Sequence, residues 1–185
     1  MKLNNKRTIL VGLAFLSICA FWQMYDSIVP LILTKTFHMN ETFSGAIMAA
    51  DNILALFLLP FFGSVSDKSH SKLGKRMPFI LFGTGCAIIL MNILPLLDNS
   101  YAAQPSGFKT ASFVIVLGLL LVAMGTYRAP AVALMPDVTP KPLRSRANAI
   151  INLMGAVGGI LYLGVAAVLY PNSKTAGLDH VNYQP

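Results

Sequence analysis

The amino-acid sequence predicts an all-α integral membrane protein, a bundle of five membrane-crossing helices. Composition is the first reason: 55% of the 185 residues are hydrophobic and only 11% are charged, whereas average soluble domains carry about 25% charged residues. So little charge does not clothe a water-facing surface, which excludes a soluble enzyme or nucleic-acid binder as a class. The second reason is grouping, because the apolar residues fall into five runs, each long enough to cross ~30 Å of hydrocarbon at about 1.5 Å per residue. The third is pattern. No run alternates over about ten residues as a barrel strand does, and a helix is then the remaining way to satisfy the backbone in lipid.

The first run, 9–34, follows Lys2, Lys6 and Arg7 as the core of a secretory signal would. It is far longer than an h-region of about 7 to 15 residues and has no small-x-small cleavage site, so it reads as an uncleaved span. Leu16-Ser17-Ile18-Cys19 has the outline of a lipoprotein cleavage box, but Ile18 is bulky where a small residue is needed. The other runs are 42–63, 77–97, 110–136 and 147–170. In the fourth, Pro130 and Pro136 each remove a helix hydrogen bond, which predicts a kink or an end there. In the fifth, Gly155, Gly158, Gly159 and Gly164 make one side small, and Gly155 with Gly159 stand in G-x-x-x-G register, a pattern for close helix packing. Cys19 and Cys86 lie in apolar runs away from any metal-ligand spacing and read as buried thiols.

Charge gives the orientation. Of the loop cations, Lys2, Lys6, Arg7, Lys68, Lys72, Lys75, Arg76, Lys141, Arg144 and Arg146 fall on one side, and Lys35, Lys109 and Lys174 on the other. Ten against three in short loops puts the N-terminus in the cytoplasm and, with five spans, residues 171–185 outside. The net charge of +7 therefore reports topology before partners.

The loop from Gly63 to Pro78 reads Gly-Ser-Val-Ser-Asp-Lys-Ser-His-Ser-Lys-Leu-Gly-Lys-Arg-Met-Pro. Asp67 closes the second run with a carboxylate facing basic groups, and Lys75 and Arg76 stand directly before the third. Taken alone, this is also what a solvated topogenic loop contains. The arrangement Gly63, Asp67-Lys68, Gly74-Lys75-Arg76 resembles the cytoplasmic loop signature of the major facilitator superfamily. Five residues between Lys68 and Gly74 are more than the commonest version has, and this spacing is similar to the sucrose/proton symporter branch, its bacterial relatives and the glycoside-pentoside-hexuronide cation symporters. Tyr127 to Asp137, followed by Arg144-Ser145-Arg146-Ala147-Asn148-Ala149, resembles the end of the fourth and start of the fifth span in those symporters. Plant members place an arginine where Val132 and Ala133 stand here; Arg128 lies one turn earlier.

The resemblance implies a twelve-helix transporter in two halves, each made of inverted three-helix repeats, with the solute path between the halves. Residues 1–170 are then helices one to five of the N-terminal half, and 171–185 a polar extracytoplasmic tail preceding helix six. It further implies symport of a sugar or glycoside with a cation, H+ or else Na+, without a cofactor, in the plasma membrane of a bacterium. The expected partners are that small-molecule solute, the lipid bilayer and the remaining helices, in the same or another chain. Another small organic solute, or a truncated protein that does not transport, is the alternative. The fifth span also lacks the Gly-Pro pair that looks characteristic of drug antiporters in this superfamily, which favours symport.

Asp26, Asp51 and Arg128 are the ionisable residues placed inside the membrane by these runs. Such groups cost at least about 2.5–3.5 kcal/mol at the bilayer centre and normally face a cavity and find partners. One reading is that a carboxylate binds the coupling proton while Arg128 stabilises its ionised form; the other is a permanent Asp/Arg pair that only fixes packing. Trp22 lies four residues before Asp26, on the same helix face, with Gln23 and Tyr25 nearby. An aromatic beside polar acceptors suits a sugar ring, and equally an ordinary core. Asn52, Asn92, Asn148 and Asn152 add amides at or near membrane depth, Asn148 and Asn152 one turn apart. The candidate pathway is therefore Trp22, Tyr25, Asp26, Asp51, Arg128, Asn148 and Asn152, and the candidate inner gate is Gly63, Asp67, Lys68, Gly74, Lys75 and Arg76 with Asp137 and Arg144. No catalytic constellation appears: His38, His70 and His180 lie in different loops, and no nucleophile elbow, zinc helix or phosphate loop occurs.

Overall fold

The computed structural model describes residues 5–71, 73–171, 175, 177–178 and 180–183. Helix α1 (Asn5–Leu31) runs into a π-helical turn (Ile32–Thr36); α2 (Glu41–Lys68), α3 (Met77–Ala103) and α4 (Gly107–Val138) follow, then a 3-10 turn (Lys141–Leu143) and α5 (Arg144–Leu169). There are no strands among the described residues, and all five long helices are apolar enough to cross a membrane. Lys2, Lys72, Lys174, the Arg7 side chain and part of the 171–185 tail lie outside the described residues.

Every helix is longer than the apolar run that announced it, although α5 stops at Leu169, one residue short of its run, and α1 gives way to the π turn at Ile32. A run marks hydrocarbon thickness, whereas a helix persists until something caps or breaks it. At the start of α2 the Asn40 side chain accepts the Thr42 N–H at 3.2 Å, satisfying one of the orphan donors of a first turn. Past its end the chain turns at Gly74, whose φ of +99° suits a residue without a Cβ. Pro130 and Pro136 do not end α4, which continues to Val138; nearby side chains repair such gaps in membrane helices. The end of α4 is served differently: Arg144 Nη2 donates to the Pro136 carbonyl at 2.9 Å, a last-turn acceptor that Pro140, four residues on, has no N–H to meet.

Helix α1 packs chiefly on α5, and α4 on α2 and α3, with α1 and α4 meeting in the centre. Exchanging α1 with α4 and α2 with α5 maps the α1/α5 interface onto the α4/α2 interface, the relation expected of a repeated three-helix unit. The core lies along α1 and α4, where Tyr25, Phe113, Leu117, Leu120 and Met124 are fully buried. Large apolar side chains such as Phe57 on α2 and Val168 on α5 point outward, as a lipid-facing surface requires.

Lipid supplies no hydrophobic drive between helices, so close approach at small residues carries the packing. A Cβ on Gly158 would run into the Leu16 carbonyl, and one on Gly155 would stand 2.8 Å from the Cys19 sulfur. The close pair is thus Gly155 and Gly158, three residues apart, and not the expected Gly155 and Gly159, since Gly159 meets only the end of Gln23 at 3.6 Å. A backbone oxygen cannot step aside. Gly158→Ala is accordingly expected to destabilise the bundle by about 2 kcal/mol, the usual scale of overpacking. Gly164, with nothing within 4 Å, is the control. Thermal unfolding in nanodiscs should separate Gly158→Ala from Gly164→Ala, and equal midpoints would contradict the packing argument.

Candidate functional site

Trp22 and Asp26, one turn apart on α1, face Asp51, Asn52 and Ala55 of α2 and Arg128 of α4 around a cavity of about 240 Å³. The cavity lies midway along the helices, where the residues the sequence placed inside the membrane come together. The Arg128 guanidinium sits 4.7 Å from the centroid of the Trp22 ring, a cation-π stack whose strength grows away from water. Arg128 acts electrostatically on both Asp26 and Asp51, and the two carboxylates act on each other. Yet among the described residues no carboxylate lies within 4.0 Å of Arg128. The geometry is therefore a loose triad, not the locked pair of the packing-only reading.

With both carboxylates ionised the triad carries one uncompensated negative charge, and with one protonated it is neutral. A site of that kind exchanges a cation at low electrostatic cost. It also offers contacts to a hydroxylated ring. Asp51 is only 8% exposed, and its Oδ1, like the Trp22 indole N–H, is buried without a hydrogen-bond partner among the described residues. One acceptor, one donor, a flat indole and a guanidinium thus line the same space.

Tyr25, Asn148 and Asn152 do not share it. Tyr25 is completely buried behind Trp22, with ring centroids 5.6 Å apart in an edge-to-face contact, so it supports the indole and does not line the cavity. Asn148 and Asn152 are exposed on α5, whose buried positions are the neighbouring Ala147 and Ile151, and α5 contributes nothing to the cavity wall. Asn92 lines a different, largely apolar cavity of about 360 Å³ between α1, α3 and α5.

At one end of the bundle the gate residues converge on Arg76. Its side chain is 10% exposed and bonds Asp67 at 2.8 Å and Asp137 at 2.5 Å, joining the ends of α2 and α4. Its Nη1 also donates to Ser66 Oγ at 3.4 Å, and Ser66 in turn donates to the Gly63 carbonyl at 2.8 Å. Ser66, fully buried, is a member of this cluster that the motif did not single out. Lys68 and Lys75 are exposed and form no ion pair among the described residues. Arg144 bonds the Pro136 and Thr139 carbonyls and so caps α4 instead of pairing with Asp67.

Asp98 is a further carboxylate buried inside the bundle. The apolar run stops at Leu97, but α3 continues to Ala103 and buries Asp98 completely.

The family model described as Major Facilitator Superfamily matches residues 11–175. The chain is 35% identical over 158 residues to sucrose transport protein SUC3 of Arabidopsis thaliana, covering 79% of this chain and 26% of that protein. It is 36% identical over 154 residues to sucrose transport protein SUT3 of Oryza sativa subsp. indica, covering 76% and 30%. It is also 25% identical over 179 residues to the alpha-ketoglutarate permease of Escherichia coli (strain K12), covering 95% and 38%. The chain thus spans less than a third of the length of the sucrose transport proteins it matches. No solved structure matches it.

Proposed function

The chain belongs to the major facilitator superfamily, and from that premise we propose that it forms helices one to five of a cation-coupled sugar or glycoside symporter. The observation that carries this reading is the cavity in which Asp26 and Asp51 share one guanidinium without either being locked to it. A proton, or Na+ in its place, neutralises the surplus carboxylate; the solute's hydroxyls meet Asp51, Asn52 and Trp22. Likeness to the two sucrose transport proteins supports a sugar as the solute. The Lys/Arg asymmetry supports a cytoplasmic N-terminus. Since the relatives are both plant and bacterial, a bacterial plasma membrane rests on the sequence reading alone.

A second reading has its own support. The alpha-ketoglutarate permease matches nearly the whole chain, and Arg128, free of a close carboxylate partner among the described residues, suits an organic acid.

Uptake into vesicles by the intact transporter, under an imposed proton gradient, distinguishes these. Labelled sucrose or a simple glycoside should enter several-fold faster with the gradient than without, and excess unlabelled sugar should block it. Uptake of a labelled dicarboxylate instead would favour the second reading, and a Na+ gradient that works at equal pH would replace the proton. The 185 residues alone should give no saturable uptake, because their cavity is walled only by α1, α2 and α4 and alternating access needs a second body to rock against.

A further inference from the structure

At the end of the bundle remote from Arg76, residues 180–183 lie across the ends of α1 and α3. The Tyr170 and Tyr183 rings pack with centroids 5.3 Å apart, and the Tyr170 hydroxyl donates to the Tyr183 carbonyl at 3.4 Å. Asn99 Nδ2 donates to Asn182 Oδ1 at 2.9 Å. His180 is seated between these anchors. Its Nε2 lies 2.9 Å from Asn99 Oδ1, and its Nδ1 lies 3.2 Å from the Thr36 hydroxyl and 3.6 Å from Asp98 Oδ2.

The amide network assigns the tautomer. Because Asn99 spends its NH2 on Asn182, its oxygen faces His180 and only accepts, so Nε2 carries a proton. Nδ1 is then bare in the neutral ring and protonated in the imidazolium. Opposite it, Asp98 is completely buried, and neither of its oxygens has a hydrogen-bond partner among the described residues. One proton shared by the two groups gives an attractive contact in either placement, imidazolium with carboxylate or imidazole with carboxylic acid. Without that proton the Thr36 hydroxyl has one hydrogen to give to two acceptors, the bare Nδ1 3.2 Å away and the buried carboxylate, and one of them is left unmatched.

We propose that residues 180–183 form a proton-operated strap over this face, docked while His180 and Asp98 hold one proton between them and released when they lose it. Pairs of this kind titrate jointly. Among the described residues the other titratable groups facing His180 are Lys35, His38 and Tyr101, which line a cavity of about 270 Å³ with Thr36 and His180 itself, and Tyr183 beside it. Burial, and after it the Asp98 charge, pushes the Tyr183 phenol above its ordinary range, so Tyr183 stays neutral while the strap responds.

A nitroxide attached at Leu178→Cys, an exposed position two residues from His180, with Cys19 and Cys86 replaced by serine, reads the strap in the chain held in lipid nanodiscs. Between about pH 5.5 and pH 9, the spectrum should pass from immobilised to mobile, the ratio changing about tenfold per pH unit on the alkaline side, as for loss of one proton. In Asp98→Asn the amide serves Nδ1 in both forms, its NH2 donating to the bare nitrogen and its oxygen accepting from the protonated one, and the label should stay immobilised throughout. In His180→Ala it should be mobile throughout. A line shape of the otherwise unaltered chain that does not change with pH overturns the proposal, as does a pH response that survives Asp98→Asn. The titration of the unaltered strap decides the matter even if a variant fails to fold.

Discussion

Asp51→Asn in the intact transporter is expected to bring solute accumulation down to parity across the membrane while leaving exchange of labelled for unlabelled solute in place. The triad is then already neutral with no cation bound, so the driving ion has nothing to neutralise. Asp26→Asn tests the other carboxylate in the same assay. Full accumulation in both variants would exclude this cavity as the coupling site. Arg128→Ala has the larger structural effect, since it leaves two carboxylates at membrane depth without a cation. Each bare charge costs at least about 2.5–3.5 kcal/mol there, so both must take up protons, and the indole loses its stacking partner. Accumulation and exchange should both fail in that variant, which separates loss of coupling from loss of the site.

Arg76→Ala is expected to shift the transporter toward the state in which the ends of α2 and α4 separate. Asp67 and Asp137 are 60% and 51% exposed, so each pair contributes only about 1 kcal/mol, the upper end for exposed ion pairs. Together they amount to about 2 kcal/mol, or roughly a 30-fold change in a two-state ratio. Cysteines placed near the cavity should become correspondingly more reactive to a reagent added from the Arg76 side. Lys75→Ala, which removes an exposed cation of the same motif that has no ion pair among the described residues, should leave that reactivity unchanged. Identical behaviour of the two variants would remove Arg76 from its role as a clasp.

What could be read from the residues alone follows from the range of each physical signal. Hydrophobic run length is local, and it located all five spans; where the helices end depends on caps such as Asn40 and on carbonyls satisfied from a distance, as Arg144 does for Pro136. For the same reason Asp98 looked like a loop residue one step past Leu97. Spacing on one helix correctly set Trp22 and Asp26 on a shared face. It gave no warning that Tyr25 turns into the core, because that depends on which neighbour α4 presents. Asn148 and Asn152 fell to the same gap: their one-turn spacing was legible, and the surroundings of α5 were not. At Arg76, neighbouring Lys75 has the same charge and the same motif support. The approach of Asp67 and of Asp137, the latter 61 residues along the chain, distinguishes them.

The π-helical turn at Ile32–Thr36 makes the end of the first span a matter of phase. The Phe37 N–H reaches back five residues to Ile32 at 3.1 Å, so one more residue is wound into this turn than an α-helix would hold. Directly upstream, Pro30 offers no N–H, and the Thr34 hydroxyl donates to its carbonyl at 2.8 Å. Were the same residues wound as regular α-helix, everything beyond the turn would be rotated by about 100° around the axis, whereas deleting a single residue here would remove the bulge and keep the phase. In the first case Phe37, stacked on Tyr101 at 4.2 Å, and Thr36, beside His180, would point elsewhere, although the span would contain the same residues. For this segment, angular register governs what the outer residues can meet, and the length of the span hardly matters.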